Sequence, residues 1–135
     1  MPKNVIADSS ALVALVRHDD QHHSWINAHV DSLPRPWRTC EAALTESFHL
    51  VGPKGTPAIK DMLRRGALLL SFDLGDELEQ VLALMDKYAD VPMSLADACL
   101  VRMSETLADP VVLTTDADFK FYRRHSRQVV PCLMP

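Results

Sequence analysis

The sequence predicts an α/β fold: one domain with a central, mostly parallel sheet of about five short strands and helices on both faces. Three observations lead to this class. Short apolar runs alternate with stretches whose apolar residues recur at helical spacing. Strands that alternate with helices are typically joined by right-handed crossovers into a parallel sheet. The 135 residues, of which 47% are hydrophobic, suit a single domain, 1–135, with one sizeable core.

The N-terminal half is predicted to begin with the strand Asn4–Ala7, which ends at Asp8. The next elements are a helix at 9–17, a polar helix at 20–30, a strand at 37–40 and helices at 41–51 and 58–65. The Gly/Pro-rich segment 52–57 predicts a loop between the last two helices. Thr56 is its expected helix N-cap, with Pro57 at the first helical position, where an amide N–H has no helical partner.

The C-terminal half alternates in the same way. We expect a strand at 67–72, helices at 77–88 and 94–107, a buried strand at 111–115 that ends at Asp116, a short basic helix, and a last strand at 128–133. In parallel sheets of this kind, ligand sites lie beyond the carboxyl ends of the strands. Asp8 and Asp116 both fall at that edge, and they are the first indication of a functional site.

Composition narrows the class of protein. No window approaches the length of uncharged apolar sequence that a membrane span needs, and no secretory signal is evident, so we expect a soluble, cytoplasmic protein. The three cysteines are widely spaced and odd in number, which disfavours a disulfide framework and a structural zinc site. The net charge of −4 argues at first against a nucleic-acid partner.

Two further carboxylates lie on helices where apolar residues are expected. Glu46 has alanine and leucine neighbours one turn away, and Asp97 has Leu100 and Val101 at the corresponding positions. A buried carboxylate without partners is energetically costly, so such a group needs a cation or several hydrogen-bond donors. For Asp97 a structural explanation is equally good, because Ser94 and Asp97 have the spacing of a capping box.

Structural explanations also exist for Asp8 as a helix cap and for Asp116 and Asp118 as turn residues. If each explanation held separately, several unrelated carboxylates would lie at one edge of one sheet by coincidence. The alternative is that these carboxylates form a single functional site. A set of carboxylates without Cys or His suits a hard cation such as Mg²⁺ or Mn²⁺, and clusters of that kind typically serve phosphoryl chemistry.

At this point the chain resembles the PIN-domain family, and within it the VapC-like toxin ribonucleases of toxin-antitoxin pairs. The likeness is carried by four segments in family order: Val5-Ile6-Ala7-Asp8-Ser9-Ser10-Ala11-Leu12, Ala43-Leu44-Thr45-Glu46, Ser94-Leu95-Ala96-Asp97-Ala98 and Leu113-Thr114-Thr115-Asp116-Ala117-Asp118-Phe119. Each segment alone is a weak signal. The ordered set covers essentially the whole chain and is more specific.

The resemblance implies a metal-dependent endoribonuclease, a hydrolase of RNA phosphodiester bonds. It implies that Asp8, Glu46, Asp97 and Asp116 hold one or two Mg²⁺ or Mn²⁺ ions, with Asp118 as an auxiliary ligand. Ser9 and Thr115 would orient carboxylates or waters. The metal would generate a hydroxide that attacks the phosphate in line. The implied partners are an RNA substrate, a cognate antitoxin protein and a second copy of the chain in a homodimer.

The charge distribution agrees with an RNA partner once the site is considered. Without the five acidic residues of the site, the net charge of −4 becomes +1. A basic segment follows the fourth motif and consists of Lys120, Arg123, Arg124, His125 and Arg127. These side chains are candidates for phosphate contacts, and the alternative is that they form a solvated basic face. Phe121 and Tyr122 are candidates for base stacking.

Other enzymes also place Asp after a first parallel strand. A haloacid-dehalogenase-like phosphatase needs a second Asp two residues later, where this chain has Ser10. A response-regulator receiver needs an acidic pair before the first strand, which is absent here. The stronger alternative is a non-catalytic PIN-like domain that acts as a protein-interaction module, and metal binding distinguishes it from the enzyme.

Overall fold

Residues 2–135, which the computed structural model describes, form seven strands and five α-helices. The strands are β1 Asn4–Ala7, β2 Trp37–Thr39, β3 Leu68–Leu70, β4 Pro110–Leu113, β5 Arg123–Arg124, β6 Gln128–Val129 and β7 Cys132–Leu133. The helices are α1 Ser9–Val16, α2 His23–His29, α3 Glu41–Arg64, α4 Leu78–Lys87 and α5 Leu95–Thr106, with 3-10 turns at Val30–Ser32 and Ala117–Lys120.

A five-stranded parallel sheet in the order β3-β2-β1-β4-β7 lies at the centre, which confirms the predicted fold class. The central strands β1 and β4 pair residue for residue, from Asn4 opposite Pro110 to Ala7 opposite Leu113. Because the two strands run parallel and end together, the residues that follow them meet at one edge of the sheet.

Side-chain alternation along β1 divides the core between the two faces of the sheet. Val5 and Ala7 pack with residues of α1, α2 and the later part of α3. Ile6 points to the opposite face and packs with α4 and α5. This period of two places helices on both faces, as predicted, because each strand is apolar on both of its sides.

The prediction of a loop at 52–57 is wrong, because α3 bends at one residue and continues. Gly52 has φ 68° and ψ −171°, a conformation that is essentially restricted to glycine, and Pro53 directly begins the second part of the helix. Thr56 is therefore not an N-cap; its hydroxyl donates to the Gly52 carbonyl at 2.8 Å. No helix within residues 2–135 combines the length and hydropathy that crossing a bilayer requires.

The C-terminal prediction also needs correction. The basic segment is helical only over Ala117–Lys120, and Arg123–Arg124 pairs with Gln128–Val129 as an antiparallel hairpin. The predicted last strand at 128–133 is divided, since β6 belongs to this hairpin and only β7 joins the central sheet. His125 and Ser126 have positive φ values of 48° and 69°, so the hairpin turn reverses the chain here.

Candidate metal-binding active site

The acidic residues collect at the carboxyl edge of the central strands. Asp8 follows β1 directly and its amide donates to the carbonyl of Leu113, the last residue of β4, at 3.0 Å. Asp116 lies three residues beyond that strand end and caps the 3-10 turn Ala117–Lys120. The flush pairing of β1 with β4 thus brings these two carboxylates to the same edge, as the sequence predicts.

Asp8 is the most deeply buried carboxylate of the set, with 3% of its surface exposed. Its Oδ2 accepts hydrogen bonds from the hydroxyls of Thr114 at 2.7 Å and Ser10 at 3.0 Å, and its Oδ1 accepts from the Ser9 amide at 2.7 Å. Burial raises the pKa of Asp8 from 3.8 to about 6, and the charge of Asp97 also raises it, while the hydrogen bonds act in the opposite direction.

Glu46 is linked to Asp8 through one hydroxyl. Ser9 Oγ donates to Glu46 Oε2 at 2.9 Å and lies 3.4 Å from Asp8 Oδ1. Glu46 is half-buried on α3, which packs against α1. The role expected for Ser9, orienting carboxylates, is consistent with this contact, because the first residue of α1 reaches both acids.

Asp97 takes part in two structural contacts at once. It completes a capping box with Ser94: its amide donates to Ser94 Oγ at 3.0 Å, and its Oδ2 accepts from the Ser94 amide at 3.3 Å. The same Oδ2 accepts from the Tyr122 hydroxyl at 2.9 Å. Burial raises the pKa of Asp97, as does the charge of Asp116, and the bonds from Tyr122 and Ser94 offset part of this rise.

The segment after β4 is organised by the hydroxyl of Thr114. This fully buried side chain accepts from the Asp116 amide at 2.9 Å while it donates to Asp8. The hydroxyl that bonds Asp8 therefore belongs to Thr114, one residue before the expected Thr115, whose amide donates to Ser10 Oγ at 2.9 Å. Asp116 Oδ1 accepts from the Asp118 amide at 2.9 Å, so Asp118 lies in the same turn.

The donor set fits a hard cation chemically. All the candidate ligands are carboxylates, and two of them, Asp8 and Asp97, have pKa values raised by burial and by a neighbouring negative charge. A cation would relieve both costs. Within residues 2–135, the side-chain positions in this structure bring no three Asp, Glu, His or Cys groups close enough to enclose an ion. Asp97 and Asp116 are held instead by their capping hydrogen bonds.

The basic residues beside the site divide into two groups. Lys120 and Arg127 are exposed. Arg123 is half-buried, and its guanidinium donates to the carbonyls of Lys120 at 2.8 Å and Tyr122 at 2.9 Å. Arg124 is also half-buried, with Nη2 3.2 Å from Nε2 of the exposed His125. Lys120 and Arg127 are therefore more accessible to a ligand than Arg123, whose guanidinium bonds the local backbone.

Three residues of this network were not assigned these roles from sequence. Ser10 and Thr114 hold Asp8, and a hydroxyl next to a motif Asp is the signal that points to them. Tyr122 was expected as a base-stacking residue, and that expectation is wrong, since the ring is fully buried and its hydroxyl bonds Asp97. Its contact spans 25 positions, and no local pattern reveals it.

A separate groove of about 320 Å³ lies between α1, α3 and the start of β2. Leu15, Trp37 and Met62 line it, and none of the acidic site residues does. The acidic residues and their hydroxyl partners lie instead at the carboxyl edge of the sheet, which makes that edge the candidate site.

Comparison with known proteins gives two matches. A family model described as PIN domain matches residues 5–124. Among solved structures, the crystal structure of the Mycobacterium tuberculosis toxin VapC20, described as cleaving the sarcin-ricin loop, has a TM-score of 0.77 at 18% sequence identity. The likeness covers 85% of this chain and 92% of that one, and it shows a shared fold. No curated protein sequence matches the chain significantly.

Proposed function

Because the chain belongs to the PIN domain family, we propose that it is a divalent-metal-dependent endoribonuclease. PIN domains are typically nucleases, and VapC20, whose fold this chain shares, is described as a toxin that cleaves the sarcin-ricin loop. The observation that supports the proposal is the linkage of the acidic residues. The Thr114 hydroxyl bonds both the Asp8 carboxylate and the Asp116 amide where β4 ends, and the charge of Asp97 raises the pKa of the buried Asp8.

Five carboxylates would hold the metal, Mg²⁺ or Mn²⁺: Asp8, Glu46, Asp97, Asp116 and Asp118. When bound, such an ion supplies a water of lowered pKa and neutralises charge on a phosphate. The chain supplies the positioning. Thr114 and Ser10 hold one oxygen of Asp8, and the hydroxyl of Ser9 orients Glu46. Tyr122 fixes the carboxylate of Asp97.

The substrate in this proposal is RNA. Lys120 is exposed and ends the turn that begins at Asp116, so we assign it a phosphate contact next to the acidic edge. Arg127 is also exposed, and it would contact a phosphate farther along the strand, because the adjacent hairpin turn contacts Glu105 at the end of α5 opposite to Asp97. Arg123 contributes indirectly, because its guanidinium holds the backbone carbonyls of Lys120 and Tyr122. Arg124, half-buried in the hairpin, is the weakest of the predicted phosphate contacts.

The biological role that we propose is that of the toxin in a type II toxin-antitoxin pair, with a cognate antitoxin protein and a homodimeric state. The support is the PIN family and the fold shared with VapC20. In this role the antitoxin would inhibit RNA cleavage by the chain.

The direct test measures metal binding and RNA cleavage together. Isothermal calorimetry with Mn²⁺ should show binding by the wild-type protein and by Asp86→Asn, an exposed control on α4. Asp116→Asn should bind at least tenfold more weakly, since it loses one ligand charge. RNA cleavage should require Mn²⁺ or Mg²⁺ and should be lost in Asp116→Asn. A folded wild-type protein that binds no Mn²⁺ would reject the enzyme and favour the protein-interaction module.

A further inference from the structure

Phe121 presents a large aromatic ring to solvent beside the acidic edge. It is 66% exposed, the highest value among the large exposed hydrophobic residues of 2–135. Burial of a large apolar ring favours the folded state, and most of this gain is forgone here. The neighbouring Tyr122 has the opposite environment, being fully buried. The two adjacent rings therefore have distinct placements, one in the core and one at the surface.

The backbone that carries Phe121 is held on both sides. Its amide donates to the Asp118 carbonyl at 2.9 Å, and the guanidinium of Arg123 donates to the carbonyls of Lys120 and Tyr122. The Tyr122 ring packs edge-on against Phe119 and Tyr88, with centroid separations of 5.2 and 5.3 Å. A ring on such a fixed segment loses little conformational freedom when a ligand covers it.

The position of Phe121 relative to the acidic site follows from the turn between them. Asp116 caps the 3-10 turn Ala117–Lys120, and Phe121 is the residue at its other end. At roughly 2 Å of rise per residue, the turn separates Asp116 from Phe121 by about 10 Å. A nucleotide strand with a phosphate at the acidic edge would pass within reach of this ring.

The charges around Phe121 favour a nucleic-acid ligand. Lys120 precedes it and is exposed, and Arg123 lies two residues later with its guanidinium on the Lys120 carbonyl. An aromatic surface flanked by cations is the combination that single-stranded nucleic acid uses, with stacking on the ring and phosphates beside the charges. A fully paired strand keeps its bases stacked on one another and offers no free face.

We propose that Phe121 is a stacking platform for an unpaired base next to the cleaved phosphate. The inference rests on the proposed nuclease function and adds a residue of this chain that contacts the substrate. Phe121 then acts in specificity, since it contacts a base rather than the reacting atoms.

The test uses the cleavage-deficient Glu46→Gln protein and a short single-stranded RNA that carries 2-aminopurine at successive positions. Binding should quench the 2-aminopurine fluorescence at one or two positions by stacking. Phe121→Ala in this background should abolish the quenching and weaken binding by about 5- to 150-fold. Phe121→Trp should retain both. Val129→Ala, a control that removes another exposed apolar side chain (63%) from the hairpin, should change neither.

Three results would overturn the stacking role. Equal RNA affinity of the proteins with and without the Phe121 ring would reject it. If Phe121→Ala then also reduced the molar mass in light scattering, the ring would be assigned to a contact between two copies of the chain. Equal loss of affinity for the strand annealed to its complement would also exclude base stacking. Cleavage of the same RNA, measured with proteins that retain Glu46, distinguishes the stacking proposal from the nuclease proposal. Cleavage that does not depend on Phe121 rejects only the platform, whereas absence of RNA binding and cleavage rejects both.

Discussion

The hydroxyl of Tyr122 donates a hydrogen bond to the carboxylate of Asp97 over 2.9 Å, and both residues are buried. The contact joins α5 to the segment that leads into the basic hairpin. It also keeps the phenol protonated, since burial and the charge of Asp97 both raise the pKa of Tyr122. Tyr122 therefore acts as a permanent donor that orients one acidic side chain of the site.

Removal of this donor should affect both stability and the site. Tyr122→Phe should lower the free energy of unfolding by about 1.5–3 kcal/mol, the range for a hydrogen bond to a charged group, as measured by urea denaturation. It should also reduce Mn²⁺-dependent RNA cleavage, because Asp97 loses its orientation. Tyr88→Phe is the matched control: it removes the acceptor of the Arg123 amide and should cost stability while sparing cleavage. Equal cleavage by the two variants would argue against a positioning role for Tyr122.

The burial of Asp8 predicts a pH dependence of stability in the metal-free protein. Its pKa in the folded state, about 6, exceeds the usual 3.8, so protonation favours folding. The contribution is complete below pH 3.8 and is lost as the pH rises through 6. When the pH rises from 4.5 to 7 in EDTA, the free energy of unfolding of the wild-type protein should therefore fall by about 2 kcal/mol relative to that of Asp8→Asn.

Urea denaturation of both proteins at the two pH values measures this difference, and other titrating groups cancel in the comparison. Mn²⁺ at pH 7 should raise the stability of wild type more than that of Asp8→Asn. If the difference in free energy of unfolding between the two proteins stayed constant across the pH range, the pKa of Asp8 would not be raised in the folded state.

The exposed basic pair should control the salt dependence of RNA binding. Lys120→Ala/Arg127→Ala should weaken binding, and the slope of log affinity against log salt should become shallower by roughly one to two charges. Binding titrations at several salt concentrations in the Glu46→Gln background measure this slope. Lys54→Ala/Lys60→Ala, which removes two exposed lysines from the second part of α3, is the control and should leave it unchanged. An unaltered slope in the first variant would assign Lys120 and Arg127 to a solvated face.

A toxin role predicts an effect on growth. Induction of the wild-type chain in a bacterial host should arrest growth, and Glu46→Gln should relieve the arrest at equal protein level. Glu79→Gln, an exposed carboxylate on α4, should arrest growth like wild type. Persistent arrest with the Glu46 variant would remove the catalytic explanation for toxicity.

The sequence was sufficient for the fold class and for the position of the acidic edge. Apolar strands such as Val111–Leu113 and the amphipathic periodicity of the helices are local properties, and they predict a parallel sheet covered on both faces. Residues that directly follow such strands, Asp8 above all, must then lie at the carboxyl edge. Glu46 was predicted in the same way, because an acid on an apolar helix face requires a partner.

The predictions that failed depended on choices that local patterns leave open. The Gly/Pro segment 52–57 fits a loop or a kinked helix equally well, and the kink is selected because Gly55 packs directly against Val16 and Val51, with no space for a side chain. Similarly, the basic residues after Lys120 have no strong periodicity. Their pairing as a hairpin depends on contacts with Tyr88 and Glu105, which lie far away in the sequence.

The sequence by itself determined which residues carry charge and which edge of the sheet they share, because strand and helix periodicity are set by neighbouring positions. Only the tertiary structure decided which hydroxyls hold the carboxylates. Thr114 bonds Asp8 across 106 positions, and Tyr122 bonds Asp97 across 25. The physical reason is that a hydrogen bond needs its two atoms within about 3 Å. That proximity arises from the packing of several elements together, which no single stretch of sequence encodes.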